Sequence, residues 1–134
     1  MVIGDLDHDG DIDLVARNQS LFNHNDGNSV ILFYQEPNKQ APSRWTNKQL
    51  STSHGEGLKL ADLNNDSYAD IIVNEAWLQN PGNASTQYWR AHQYTDTWHW
   101  QDVNIDVADI NNDSRIDIVL TPSEKEGQHY RISW

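Results

Sequence analysis

Acidic residues recur at every second position in one short stretch near the start of the chain. The stretch reads Asp5-Leu-Asp7-His-Asp9-Gly10-Asp-Ile-Asp13. Counted from its first residue, positions 1, 3, 5 and 9 are Asp and position 6 is Gly. A hard divalent cation needs several oxygen ligands at about 2.3–2.6 Å, and Asp side chains at alternate positions can wrap a tight turn around it. The stretch therefore predicts a cation-binding loop.

The residues on either side of this loop are typical of β-strands. Val2-Ile3 precedes it and Leu14-Val15 follows it. The spacing is similar to the first half of an EF-hand, but no Glu occupies position 12, where that helix–loop–helix site has a bidentate ligand. We therefore interpret the stretch as the metal-binding turn of a β-hairpin.

The same loop occurs three times. The second copy is Asp62-Leu-Asn64-Asn-Asp66-Ser67-Tyr-Ala-Asp70, and the third is Asp109-Ile-Asn111-Asn-Asp113-Ser114-Arg-Ile-Asp117. Each copy lies between short apolar runs. An Asx-rich turn that binds nothing is the alternative, because Asp and Asn favour turns for backbone reasons. Three copies in matching strand contexts favour the metal-binding interpretation.

Composition narrows the class of protein and of partner. The 134 residues suffice for one ordinary domain, and the formal net charge of −11 argues against a nucleic-acid partner. Three Ca²⁺ ions would neutralise six charges and leave about −5. No apolar stretch approaches the roughly 18 residues of a membrane span, so we expect no membrane insertion. Calcium loops of modest affinity fill where calcium is plentiful, so we expect an extracellular, cell-surface or periplasmic location.

Strand candidates repeat with a period near that of the loops. They lie at about 1–4, 12–17, 29–35 and 44–50; 57–61, 69–74, 75–79 and 87–93; and 103–108, 116–121 and 128–134. No helix-period segment is found. Four short antiparallel strands per unit predict an all-β fold, a fragment of a β-propeller with two full four-stranded blades plus most of a third. The repeats span about 1–56, 57–102 and 103–134. The chain opens directly on a strand, which suggests a piece of something longer.

A second element recurs with the loops. Phe33 to Pro37 is followed by Trp45, and Trp77 to Pro81 is followed by Trp89, at the same spacing. The loop Asp-x-Asp-x-Asp-Gly-x-x-Asp and this element resemble the FG-GAP/VCBS repeat, the blade of integrin-α-like propellers. The resemblance implies a propeller fold and calcium, but not one activity, since propellers host lectins, adhesion modules and enzymes.

The resemblance also implies the metal ligands. The first loop would use Asp5, Asp7, Asp9 and Asp13 with the Asp11 carbonyl; the second Asp62, Asn64, Asp66 and Asp70 with the Tyr68 carbonyl; and the third Asp109, Asn111, Asp113 and Asp117 with the Arg115 carbonyl. Up to three Ca²⁺ ions would be bound. Asn replaces Asp at position 3 of the last two loops, and Ser67 and Ser114 replace the glycine that supplies a positive φ. Both changes predict weaker binding there than in the first loop.

Other side chains are weaker candidates for a site. His54 and His99 precede the second and third loops and either line a propeller channel or lie on a loop without function. Tryptophans that recur with the repeat usually pack between blades. Trp98 and Trp100 do not recur, which makes them the better candidates for stacking on a sugar ring. His8 lies at a non-ligand position, and we expect it to point to solvent.

These observations predict a binding module with structural calcium ions. Its partner would be a carbohydrate or an extracellular protein, and self-association of the chain is a further expectation because its terminal blades present apolar faces. The alternative is the propeller part of a carbohydrate-active enzyme, such as a polysaccharide lyase or a sugar dehydratase. No nucleophile elbow, phosphate loop or His-Glu-x-x-His motif is found in the sequence.

Overall fold

The structure, a computed structural model, describes residues 1–18, 28–36, 44–83, 87–98, 100, 102–123 and 132–134. All regular structure among these residues is β, which confirms the predicted all-β class. The strands are β1 (Val2–Gly4), β2 (Asp13–Asn18), β3 (Ser29–Glu36), β4 (Arg44–Ser51), β5 (Lys59–Ala61), β6 (Asp70–Ile72), β7 (Ala76–Gln79), β8 (Arg90–Gln93), β9 (Val103–Ala108) and β10 (Asp117–Pro122).

The strands form three antiparallel sheets in chain order. The first sheet is β1-β2-β3-β4, the second is β5-β6-β7-β8, and the third pairs β9 with β10. Most of the predicted strand at 128–134 lies outside the described residues; a bridge between Leu120 and Ser133 is the part of it that the structure describes. Each acidic loop joins the first two strands of its sheet, as the sequence predicts.

The register places the last aspartate of every loop at the same point. Asp13 pairs with Gly4, Asp70 with Ala61, and Asp117 with Ala108. This aspartate is the first residue of the second strand in each sheet. The side chains that follow it therefore alternate between the two faces in the same order in all three units.

The second sheet is buried on both faces. One apolar cluster joins it to the first sheet, and contains Leu6, Val15, Val30, Leu32, Tyr34, Ile71, Val73, Leu78 and Trp89. Another joins it to the third sheet, and contains Ile72, Trp98, Val103, Ile105 and Leu120. Because Ile71 and Ile72 are adjacent in a strand, they point to opposite faces. A run of apolar residues in β6 is what a strand covered on both sides requires.

The recurring tryptophans do not all pack between sheets. Trp89 is 3% exposed and belongs to the core, but Trp45 is 41% exposed, which corrects the expectation for this residue. Trp45 lies opposite Gln35 in the register, on the same face as Phe33. Leu32 and Tyr34 point into the core, so Trp45 and Phe33 point to the other face of the first sheet. No other described sheet covers that face.

Arg17, near the end of β2, forms hydrogen bonds with the segment that connects the first sheet to the second. Its guanidinium group donates to the carbonyl oxygens of Glu56 and Gly57 at 2.6 and 2.7 Å. It also donates to the carbonyl oxygen of Ser53 at 2.9 Å and to Oδ1 of Asn74 at 3.1 Å. Burial lowers the pKa of Arg17 to about 10, so the group stays charged at neutral pH. A planar fork of donors is suited to this set of acceptors, and an ammonium group is not.

We predict that Arg17→Ala lowers the free energy of unfolding by about 2–4 kcal/mol, because it leaves several partly buried carbonyl groups without donors. Arg17→Lys should restore only part of this loss. The control is Arg44→Ala, which removes an exposed side chain 4.0 Å from Glu36 and should change stability by less than about 0.5 kcal/mol. Urea unfolding of the three variants measures these differences, and equal values for Arg17→Ala and Arg44→Ala would contradict the assigned role.

Candidate metal centre

The carboxylate of the aspartate at position 9 closes each loop by accepting a hydrogen bond from a backbone N–H. Asp13 Oδ2 accepts a hydrogen bond from the Leu6 N–H at 2.9 Å. The same bond joins Asp70 to Leu63 at 3.1 Å and Asp117 to Ile110 at 2.9 Å. In every case the donor is the residue at position 2. These bonds hold the two ends of the loop together.

In the first two loops this carboxylate also accepts a hydrogen bond from the third strand of the sheet or from the residue that directly follows it. Asp13 Oδ1 accepts from the Gln35 N–H at 2.9 Å, and Asp70 Oδ1 accepts from the Asn80 N–H at 2.8 Å. Both carboxyl groups are fully buried. The sequence predicted these residues as metal ligands only. The structure adds that they are structural anchors, which would leave any bound cation to share their oxygens with backbone donors.

Burial raises the pKa of these anchors. The pKa of Asp70 rises to about 6 on burial, although hydrogen bonds from Asn80 and Leu63 lower it. Burial also raises the pKa of Asp13, against the hydrogen bonds from Leu6 and Gln35. The backbone bonds therefore offset only part of the desolvation of each carboxylate.

The backbone of all three loops enters the left-handed region twice. Position 6 has φ of 92° at Gly10, 74° at Ser67 and 66° at Ser114, as the comparison of the loops predicted. Position 4 has φ near 60° as well, at His8, Asn65 and Asn112. The positive φ at position 4 is not among the features predicted from the sequence. Asn in two copies was an available signal, since it is enriched in this region several-fold among non-glycine residues.

These conformations turn backbone N–H groups toward the first carboxylates. The N–H at position 6 donates to the aspartate at position 1, over 3.2, 2.8 and 2.8 Å in the three loops. The N–H at position 7 donates to Oδ1 of the aspartate at position 5, over 2.8, 2.9 and 2.9 Å. Position 7 is Asp11, Tyr68 or Arg115. Its N–H has this structural role, while the carbonyl ligation assigned to it stays a prediction.

In the second and third loops, the asparagine at position 3 donates a hydrogen bond to the aspartate at position 5. Asn64 Nδ2 donates to Asp66 Oδ2 at 2.8 Å, and Asn111 Nδ2 donates to Asp113 Oδ2 at 3.2 Å. The oxygen of each amide accepts the N–H of position 5, at 3.1 and 2.9 Å, which supports this orientation of the side chain. An aspartate at position 3 has no such donor when it is ionised.

The first loop leaves carboxylate oxygens unsatisfied. One oxygen from each of Asp5, Asp7 and Asp13 lies within 4.8 Å of the others. Asp5 Oδ1 and Asp7 Oδ1 are buried atoms with no hydrogen-bond partner in the described part of the chain. Burial raises the pKa of Asp7, and the nearby charges of Asp9 and Asp5 raise it further. A group of carboxylate oxygens of which two are unpaired fits a hard divalent cation.

The other predicted ligands lie around this group or in the other two loops. Asp9 is exposed, and its Oδ1 accepts the Asp11 N–H. Asp62 and Asp109 accept backbone N–H groups with both oxygens. Among the described residues, one group of three acids has ligand atoms within 4.8 Å of one another, and it lies in the first loop.

The first and second loops contact each other through a stacked pair of rings. The rings of His8 and Tyr68 have centroids 4.3 Å apart and an interplanar angle of 21°. We expected His8 to point to solvent. It is exposed, but one face of its ring lies against Tyr68 because the two loops are at the same end of adjacent sheets.

The remaining candidates have mainly structural contacts. His54 Nδ1 lies 3.1 Å from Asn28 Oδ1, in the connection between the first two sheets, and His99 lies outside the described residues. Trp98 is 7% exposed, and its indole N–H donates to the Trp100 carbonyl oxygen at 2.9 Å. Both tryptophans line a cavity of about 220 Å³ together with Tyr94, Thr95, Thr97, Ile118, Leu120, Ser133 and Trp134.

The three copies of one acidic hairpin loop, each in its own antiparallel sheet, define an all-β repeat protein. The family model for the FG-GAP-like repeat matches residues 5–73, just over half of the chain. The chain belongs to this family. Neither the curated proteins nor the solved structures contain a match to it.

The family indicates the cellular location in which such repeats are usually found. FG-GAP-like repeats are typical of extracellular and cell-surface proteins. Among the residues that the structure describes, no helix has the length and apolar character needed to cross a membrane.

Position 6 allows a direct test of the strain in these loops. Ser67 has a side chain at a φ that favours glycine, so Ser67→Gly should raise the free energy of unfolding by about 0.5–1 kcal/mol. The reverse change, Gly10→Ser, should lower it by a similar amount. A Cβ at Gly10 would meet no atom within 4 Å, so this change reports on the backbone alone. Thermal unfolding in EDTA measures both, and destabilisation by Ser67→Gly would contradict the assignment.

Proposed function

We propose that the chain is a calcium-binding segment of an extracellular or cell-surface β-propeller, in which the ions stabilise the fold and the surface binds a carbohydrate or a protein. The observation that carries the calcium part is a pair of buried oxygens, on Asp5 and Asp7, that have no hydrogen-bond partner among the described residues. Buried carboxylate oxygens without a donor destabilise a fold unless a cation or a proton is supplied.

The chemistry of the loop favours Ca²⁺ over other common cations. Asp5, Asp7 and Asp13 would hold the ion, with Asp9 at the exposed rim. All these ligand atoms are oxygens, which suit Ca²⁺ and Mg²⁺ better than a soft transition metal. Mg²⁺ requires a near-ideal octahedron and gives up its water reluctantly, whereas a flexible loop that supplies several carboxylates suits Ca²⁺. The net charge of −11 adds a general attraction for cations.

The propeller part of the proposal is supported by the way the sheets repeat. Successive sheets pack face to face in chain order, and the second sheet is covered on both sides. The matching face of the first sheet, which includes Phe33 and Trp45, is left without a described neighbour. In a propeller of roughly four to eight blades, a preceding blade would cover this face.

The aromatic cavity supports a carbohydrate among the possible partners. Trp100 and Trp134 line it beside the hydroxyl groups of Thr95, Thr97 and Ser133, and Trp134 is 73% exposed. An apolar ring with hydroxyl groups around it can contact both faces and edges of a sugar.

A glycan-array screen of the full chain, with and without EDTA, tests carbohydrate binding. Binding to a glycan that is unchanged by Trp134→Ala would exclude the cavity as the binding site.

Melting curves test the calcium proposal. A ligand selective for the folded chain stabilises it by RT ln(1 + [L]/Kd), which is about 2.7 kcal/mol per site at a hundredfold excess over Kd. We expect a clear rise in melting temperature with millimolar Ca²⁺ relative to EDTA. Mg²⁺ at the same concentration should give a much smaller rise, which controls for ionic strength. Superimposable curves in Ca²⁺ and EDTA would contradict the proposal.

Light scattering tests the propeller proposal. The uncovered face of the first sheet exposes apolar side chains, of which Ile3 is 63% exposed, and such a face invites contact with another copy of the chain. We expect the purified chain to self-associate as its concentration rises. The variant Trp45→Ser, which changes only this face, should weaken the association. A monomer at all concentrations would contradict the propeller assignment.

A further inference from the structure

Asn80 lies between the first two acidic loops, with its side-chain amide and its backbone N–H in hydrogen bonds. It is 1% exposed. Its side-chain Nδ2 donates to the carbonyl oxygen of Leu6 at 2.8 Å and to that of Ala69 at 3.1 Å. Its Oδ1 accepts the Gly82 N–H at 3.0 Å, and its own N–H donates to Asp70. These partners on both the nitrogen and the oxygen fix the orientation of the buried side-chain amide.

The two carbonyl groups that share this amide belong to different loops. Leu6 follows Asp5 at the start of the first loop, and Ala69 precedes Asp70 at the end of the second. A movement of either segment therefore breaks or strains a bond to the other. The stacked rings of His8 and Tyr68 form a separate contact between the same two loops.

We propose that Asn80 is a positioning residue that couples the first two loops, so that a cation in either loop raises the affinity of the other. This inference rests on the proposed calcium binding. Cation binding requires the segment around Asp5 and Asp7 to be held with its carboxylates close together, against their mutual repulsion. A segment already held through Asn80 by an ordered second loop loses less conformational entropy when the ion binds.

The third loop serves as an internal control. The hydrogen bonds of Asn80 reach the first two loops, and none of those described reaches residues 109–117. A general loss of stability would affect cation binding at all three loops. Loss of the coupling through Asn80 should affect the first and second loops and leave the third unchanged.

Reciprocity provides a first test, which leaves Asn80 in place. The amide signals of Gly10 and Ser67 in a nuclear magnetic resonance titration with CaCl₂ report separately on the two loops. Asp9→Ala should weaken binding at Ser67, and Asp66→Ala should weaken binding at Gly10 by the same factor, because linkage is symmetric. We expect a factor of about fivefold or more, at the lower end of typical couplings.

Variants of Asn80 provide the second test. In Asn80→Ala the effect of Asp9→Ala on the Ser67 titration should disappear, as a double-mutant cycle measures. The matched control is Asn74→Ala, which removes another buried amide of the same unit, bonded to Arg17 and to the carbonyl oxygen of His54. This control should lower stability but preserve the coupling. If Asn80→Ala does not fold, Asn80→Asp removes the donor while it retains the acceptor for Gly82.

The outcomes separate the two proposals. If CaCl₂ shifts neither the Gly10 signal nor the Ser67 signal of the unmodified chain, the calcium function is contradicted and the coupling with it. If both signals titrate but Asp9→Ala leaves the Ser67 titration unchanged, calcium binding is supported and the coupling is overturned. A coupling that survives in Asn80→Ala and Asn80→Asp would assign it to another contact.

Discussion

The carboxylate at position 9 of each loop is the interaction on which the rest of the structure depends. In the first two units it is a fully buried acid that accepts backbone N–H groups from the start of the loop and from the end of the third strand. One side chain thereby sets the turn, the register of the hairpin and the position of the next strand. Hydrogen bonds to an ionised acceptor are stronger than neutral ones, which offsets part of the cost of burial.

The three loops share this anchor and differ in how the carboxylates at positions 1, 3 and 5 are paired. In the second and third loops, an asparagine amide supplies a donor to the acid two positions later. In the first loop, Asp7 stands at the asparagine position and has no proton to donate, and the Oδ1 atoms of Asp5 and Asp7 are buried without a hydrogen-bond partner among the described residues. We propose that a cation completes the first loop, whereas hydrogen bonds within the second and third loops already pair the carboxylates at positions 1 and 5. On this proposal, the affinity for the cation would be highest in the first loop.

The sequence was sufficient for the features that depend on local chemistry. The acidic loops, the hairpins around them and the positive φ at position 6 follow from residue type and spacing. Features that depend on distant partners were not predictable. Arg17 looked like an ordinary strand residue, because its acceptors lie 36 to 57 residues further along the chain.

The recurring aromatic and proline element is misaligned when its two copies are matched by residue type alone. Matching Pro37 to Pro81 would equate Glu36 with Asn80, but the bond to the position 9 carboxylate equates Gln35 with Asn80. The proline alignment is therefore one residue out of register. Trp45 pairs with Gln35, and Trp89 directly precedes Arg90, which pairs with Gln79, so the two tryptophans occupy matching places. Only Trp89 is buried, because burial depends on which sheet lies next to each face.

Calorimetry can test directly the proposal that the first loop binds Ca²⁺ more tightly than the two loops in which an asparagine amide donates to a carboxylate. The titration compares the chain with Asp9→Ala, in the first loop, and Asp113→Ala, in the third. Both change an exposed aspartate at position 5. We predict that Asp9→Ala removes the tightest binding event and that Asp113→Ala removes a weaker one. Loss of the tightest event in Asp113→Ala, with Asp9→Ala unaffected, would contradict the account.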